Sequence, residues 1–137
     1  MKKIVTLVLC IAFLFGTFNT VVFASSGNEG IMPCFNNVGA VESSFTIIDG
    51  EAIVLVSYMG YPNITSEARI TTTLQKRTLL FFWKDVTEWI DVSYEEDAMF
   101  EHSHSVSSGT YRVKIKYEIS GSAGVTDVIE DEIQDSY

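Results

Sequence analysis

Hydrophobic and polar residues alternate along much of this chain, most cleanly in its last third. Tyr111, Val113, Ile115, Tyr117 and Ile119 share one phase, and Arg112, Lys114, Lys116 and Glu118 share the other. Successive strand side chains face opposite sides, so this period of two predicts a half-buried β-strand over 110–119. Ser107-Ser108-Gly109 before it and Gly121-Ser122-Ala123-Gly124 after it are turn chemistry.

Six more segments complete the pattern. A strand is expected over 39–48, with Val41, Phe45 and Ile47 as its apolar members, and Asp49-Gly50 signals a hairpin. The strand over 51–59 sets Ala52, Val54, Val56 and Tyr58 against Ile53 and Leu55. Gly60-Tyr61-Pro62-Asn63 ends it, because proline cannot donate to a ladder. Over 67–76, Ala68, Ile70, Thr72 and Leu74 oppose Arg69, Thr71, Thr73 and Gln75, and the β-branched content suits a strand. Residues 78–83 hold two leucines, two phenylalanines and a tryptophan, read as a hairpin connection into a strand over 86–92. A short strand over 94–104 and a last one over 125–133 follow. In the latter, Val125, Asp127, Ile129, Asp131 and Ile133 share a face.

No segment keeps a helical period, and no repeat appears. About seven short strands joined by turns predict an all-β fold, an antiparallel immunoglobulin-like β-sandwich. Gly109-x-Tyr111-x-Val113 matches the start of a sixth immunoglobulin-type strand, where a corner tyrosine bonds back to upstream backbone. Val113 stands where antibody domains carry cysteine.

The first residues follow another pattern. Lys2 and Lys3 precede an apolar run from Ile4 to Phe15, and Val22-Phe23-Ala24 ends in a small residue. This reads as a secretory signal peptide, residues 1–24, cleaved after Ala24. The run stops at Gly16, short of the roughly 20 residues of a spanning helix. The expected organisation is then an irregular arm over 25–38 and a sandwich domain over 39–137. The expected location is extracellular, and the Met-Lys-Lys start has a bacterial character.

The mean hydropathy of +0.20 owes much to that leader. The formal net charge is −9, and cleavage would remove two lysines and no acid. So acidic a surface disfavours nucleic acid and anionic lipid as partners and suits cations or basic surfaces. No stable membrane insertion is expected after cleavage. Cys10 lies in the leader, which leaves Cys34 alone, either a thiol for an intermolecular bridge or a small apolar filler.

The chain resembles a group of small secreted proteins of clostridia-type Gram-positive bacteria (Firmicutes), known as a domain of unknown function. The likeness rests on Met32-Pro33-Cys34-Phe35, Ile48-Asp49-Gly50, Thr73-Leu74-Gln75-Lys76, Trp83-Lys84 with Trp89, and the block from Ser105 to Lys114. Cys34 departs from the arginine usual after Met-Pro. The resemblance implies a sandwich fold and secretion, and it brings no activity or site.

Candidate chemistry is sparse. His102 and His104 point the same way from one strand, with Glu101, Glu95, Glu96 and Asp97 near in sequence, which suits zinc, copper or nickel. A closed site needs four ligands, and the bland alternative is an exposed polar strand. Glu95-Glu96-Asp97 reads as a solvated turn, and Glu130-Asp131-Glu132 with Asp135 as a solvated edge strand. No Gly-x-Ser-x-Gly elbow occurs, and a carboxylate pair is neither excluded nor supported by spacing. No catalysis and no cofactor are expected.

The aromatic residues are the strongest lead. Consecutive Phe81, Phe82 and Trp83 cannot all point inward, so an exposed binding patch is expected there unless the arm covers it, with Trp89, Tyr58 and Tyr61 adding further rings. The expected function is a secreted, non-catalytic interaction module for a protein or a cell-envelope component. Metal binding through His102 and His104 and an enzyme with a carboxylate pair are the alternatives.

Overall fold

The computed structural model describes residues 35–79 and 81–137. Cys34, the expected leader and most of the arm lie outside them. The strands are β1 (Val38–Ile48), β2 (Glu51–Gly60), β3 (Thr65–Thr78), β4 (Phe82–Ser93), β5 (Asp97–Ser105), β6 (Thr110–Gly121) and β7 (Thr126–Ser136). They form two antiparallel sheets, one ordered β1-β2-β5 and the other β4-β3-β6-β7. The fold is the expected β-sandwich. No helix occurs among the described residues.

The core follows from the alternation. Ala52, Val54, Val56 and Tyr58 of β2 face Ala68, Ile70, Thr72 and Leu74 of β3 and the five odd-numbered residues from Tyr111 to Ile119 of β6, all buried. These three strands are flanked on both sides within their sheets, so their inner faces are the driest. The outer strands β1, β4, β5 and β7 supply half-buried residues, among them Val41, Trp89, Phe100 and Ile129. Several bounds differ from those expected. β4 starts at Phe82, four residues early, because the unbroken aromatic run hides its period. β5 starts at Asp97, because Glu95 and Glu96 form the turn before it.

Two open sides remain where the sheets meet, and side chains close them. On the β1/β7 side, three aspartates at four-residue spacing reach across. Asp127 Oδ2 accepts from Asn37 N at 2.7 Å, Asp131 Oδ2 from Ser43 Oγ, and Asp135 Oδ2 from Ile47 N at 2.9 Å. The tail is therefore not simply a solvated edge: Asp131 and Asp135 occupy acceptor positions opposite β1. Inward-pointing charge also discourages the pairing of β1 with a foreign strand.

Asn37 is the polar knot at one end of this side. Its Nδ2 donates to Ile119 O at 3.1 Å and Val125 O at 2.8 Å, and its carbonyl accepts from Thr65 Oγ1 at 2.5 Å. Thr65 Oγ1 in turn accepts from Tyr61 N at 2.8 Å. Gly121 is required by this knot, since a Cβ there would run into Asn37 Oδ1.

Tyrosines tie further parts together. Tyr117 Oη crosses from β6 to donate to Glu42 O of β1 at 3.0 Å, and Tyr58 Oη donates to Glu95 O at 2.7 Å. Burial pushes Tyr117 up to about 12, with the Ser43 hydrogen bond opposing and the charge of Asp131 adding.

Two outcomes are expected. Gly121→Ala lowers stability by about 2 kcal/mol or more, and combining it with Asn37→Ala costs less than the sum of the two, as a chemical-denaturation double-mutant cycle would read. The second concerns alkali. Tyr117 keeps its proton in the folded state after the unfolded chain has released it, so stability present below pH 10 falls as pH rises from about 10 to 12. The loss is up to about 2 kcal/mol, and Tyr117→Phe removes that share when urea midpoints are compared across the window.

Candidate functional site: the β3–β4 hairpin tip

Strands β3 and β4 outrun the sandwich. The last β3–β6 rung is Lys76 with Tyr111, whereas the β3–β4 ladder continues to Thr78 with Phe82. The hairpin end thus has no neighbouring strand on either side. Leu79 at its turn is 86% exposed, Phe81 79% and Phe82 69%. These rings and the leucine form one apolar tip.

A bulge sets which side each ring takes. The register shifts between Leu74 and Gln75, leaving Val86 without a β3 partner. One extra residue inverts the facing of everything beyond it. Thr87, Trp89 and Asp91 keep the inner phase, while Trp83 and Asp85 move to the outer face. Trp83 is consequently half-buried beneath Arg112, whose Cζ lies 4.4 Å from the ring centroid. Of the three rings expected to form the patch, the structure exposes Phe81 and Phe82 and packs Trp83. Tyr58 and Tyr61 belong to the opposite end, where Tyr61 lies against Gly39.

The base of the hairpin is held on both faces. Outside, Arg112 Nε donates to Gln75 Oε1 at 2.7 Å, Gln75 Nε2 to Asp85 Oδ1 at 2.6 Å, and Arg112 Nη1 to the Glu132 carboxylate at 3.0 and 3.1 Å. This row ties all four strands of the sheet. Inside, Lys76 Nζ donates to Ser107 Oγ at 2.7 Å and Ser108 O at 3.0 Å and lies 5.2 Å from the Tyr111 ring centroid. Tyr111 Oη donates to Ser107 O at 2.8 Å, the backward bond expected of a corner tyrosine. Burial pushes the Tyr111 hydroxyl up, but hydrogen bonds from Ser107 and Lys76 and the lysine's charge together bring it below its ordinary value. The exposed tip therefore stands on a fixed base.

The histidines occupy a different place. His102 and His104 lie on the inner phase of β5, not on an exposed polar face, and they help close the β4/β5 side of the sandwich. Trp89 stacks on His102 with centroids 4.9 Å apart and planes 7° from parallel, and meets His104 edge-on at 6.5 Å. His102 Nε2 lies 2.7 Å from Asp91 Oδ2, both half-buried. Asp91 is the residue that sequence spacing missed, because it reaches His102 from the other sheet. Among the described residues no three His, Cys, Asp or Glu side chains converge in a metal-binding cluster. Glu95, Glu96 and Asp97 lie away from the histidine pair, and Glu96 Oε1 accepts from Asn63 N at 2.8 Å.

A shallow groove of about 270 Å³ lies on the outer face of the smaller sheet, with Glu42, Ser57, Met59, Asp97 and Met99 among its lining residues. Its two carboxylates stand on β1 and β5, two strand spacings or roughly 10 Å apart at the backbone. No histidine, lysine or cysteine joins them there among the described residues.

No protein-family model and no curated protein sequence matches the chain. Among solved structures it is similar to OgpA from Akkermansia muciniphila in two crystal forms, with TM-scores of 0.46 and 0.45 at 8% and 7% identity. Each superposition covers 74% of this chain and 30% or 28% of OgpA, so the chain spans under a third of that protein. It is also similar to the ApaA protein of Bordetella pertussis, with a TM-score of 0.49 at 8% identity over 71% of this chain and 89% of ApaA. Likeness at this level carries no functional reading.

For the β4/β5 side, His102→Ala is expected to cost about 1–3 kcal/mol by leaving Asp91 half-buried without its partner. Asp91→Ala in that background then costs less than it does alone, a coupling that denaturant titration of the four proteins would measure.

Proposed function

We propose that this chain is a secreted, immunoglobulin-like binding module that works without catalysis and engages its partner through the β3–β4 hairpin tip. The observation that carries this is the exposure of Leu79, Phe81 and Phe82 together on a base fixed by Arg112 and Lys76. Folding alone gains nothing from such a tip. Large apolar side chains in water contribute to stability only when covered, and a contiguous exposed group of them marks a contact surface.

A rigid base adds to this, since a preorganised contact loses less conformational entropy on binding than a mobile one. The immunoglobulin-like assignment is supported by the strand order and the backward bond of Tyr111. Secretion is supported by the leader pattern of residues 1–24. The partner class favoured is a component of the cell envelope.

The test is co-sedimentation with envelopes of the source cells. Wild-type protein is expected to sediment saturably, and Phe81→Ser/Phe82→Ser to lose about tenfold or more of that binding while its melting temperature is unchanged. Trp83→Ala is expected to lower the melting temperature, because it empties the place beneath Arg112. Equal sedimentation of wild type and the double variant removes the tip from the binding surface.

A further inference from the structure

We infer that the hairpin tip is built to dock on an anionic lipid surface, an inference that rests on the tip being the contact site. Three features point to lipid.

The first is the turn itself. Leu79 has φ +45°, a left-handed conformation that is disfavoured for a residue carrying a Cβ. Among the described residues the other two non-glycine positions with positive φ are Asp49 and Asn63, types that accept it readily. Among the described residues, only the hairpin tip keeps a large apolar residue where backbone geometry favours glycine or asparagine. Apolar content is being retained against local preference.

The second is the collar behind the tip. Lys76 and Lys84 are direct cross-strand partners, and Arg77 is paired with Trp83. Lys76 is held at the base by Ser107 Oγ and Ser108 O, which leaves Lys84, exposed on β4, as the outward cation of the collar. Residues 76–84 contain three cations and no acid, on a chain of net charge −9. An anionic headgroup would meet Lys84 there. Trp83, an amphipathic ring, stands at the same level as the collar, where such rings favour a membrane interface.

The third is depth. Two to three residues separate the tip from the collar, about 7–10 Å along an extended strand. Interfacial elements bury their apolar face about 5–10 Å below the headgroups. Phe81 and Phe82 would reach the acyl boundary while Lys84 stays with the phosphates. A fluid apolar partner also needs no shaped pocket, which suits a tip whose side chains offer no hydrogen bonds.

The overall charge argues against anionic lipid only if it is spread evenly, and it is not. Glu132 is paired with Arg112, whereas Asp85, hydrogen-bonded to neutral Gln75, keeps its charge beside Lys84. Glu95, Glu96 and Asp97 follow the far end of β4, roughly 35–40 Å from the tip and well beyond the screening length. Asp49 and Glu51, on the β1–β2 turn, lie at the same end of the sandwich as the tip, so the apolar contribution dominates and the electrostatic one tunes it.

The experiment is vesicle flotation of residues 25–137, which carry every strand and core residue described above. Vesicles of phosphatidylglycerol and phosphatidylcholine in equal parts are compared with phosphatidylcholine alone. The expected result is binding to the anionic vesicles that falls about tenfold or more in Leu79→Ser/Phe81→Ser/Phe82→Ser. It falls about fivefold in Lys84→Gln, an exposed position whose loss disturbs no core contact. Circular dichroism melts confirm that both variants fold. Absence of flotation, or equal flotation of the triple variant, overturns the lipid inference. Envelopes stripped of lipid then separate the two readings. Capture there of wild type but not of the triple variant keeps the tip as a contact site for a protein or glycan partner. Capture of neither or both ends the tip reading as well.

Discussion

The two sheets of this protein share no backbone ladder, so the sandwich depends on how its two open sides are shut by side chains. Core burial draws the sheets together but is indifferent to their lateral position, because apolar attraction is non-directional. Direction comes from the polar bridges. On one side Asp127, Asp131 and Asp135 of β7 accept from Asn37, just before β1, and from Ser43 and Ile47 of β1. On the other, Trp89 and Asp91 of β4 engage His102 of β5 by stacking and by a short polar contact. The two solutions differ chemically and do the same work. On the β1/β7 side the aspartates also take up the backbone N–H groups of Asn37 and Ile47, which would otherwise be open to other chains.

Satisfaction of polar groups is most complete at the Asn37 end and least relevant at the tip. Around Asn37 the backbone N–H, the carbonyl and the side-chain amide all find partners, and Gly121 exists to leave room for them. A buried asparagine with a missing partner would be costly, and this network avoids that cost. At the hairpin tip the opposite holds: polar groups are spent on the base, in the Arg112 row outside and the Lys76 contacts inside, while the end itself is left apolar and bare. One end of the molecule is organised around satisfied polar groups, and the other leaves apolar side chains exposed.

Legibility in the sequence followed locality. Strands whose two faces differ in polarity were readable: β2, β3 and β6 keep the expected inner residues, and Tyr111 makes the expected backward bond. The exposure of part of the aromatic run was readable, but its structure was not. Its residues carry no alternation, so neither the start of β4 at Phe82 nor the bulge at Val86 that sends Trp83 outward could be placed. Partners brought together by the two-sheet arrangement were out of reach. His102 alternates correctly with Phe100 and Ala98, but Asp91 lies eleven residues away on another sheet. The β7 aspartates did leave a signal, since Asp127 and Asp131 share a phase with Ile129 and Ile133. An acid on the apolar phase of an amphipathic strand is evidence of an acceptor position, not of a solvated edge.

The same reasoning explains why net charge misleads for a molecule of this shape. A total of −9 describes the far field, yet at ordinary ionic strength a surface senses charge within about 10 Å. The strands are long relative to that distance, so their two ends are electrostatically separate. Acids that serve as hydrogen-bond acceptors along β7 are committed to the fold, and the acidic β4–β5 turn stands at the end remote from the hairpin tip. Four of the nine lysines and arginines gather at the tip and its base: Lys76, Arg77, Lys84 and Arg112. The proposed partner would meet an apolar end with Lys84 exposed beside it, on a protein whose composition predicts an acidic surface.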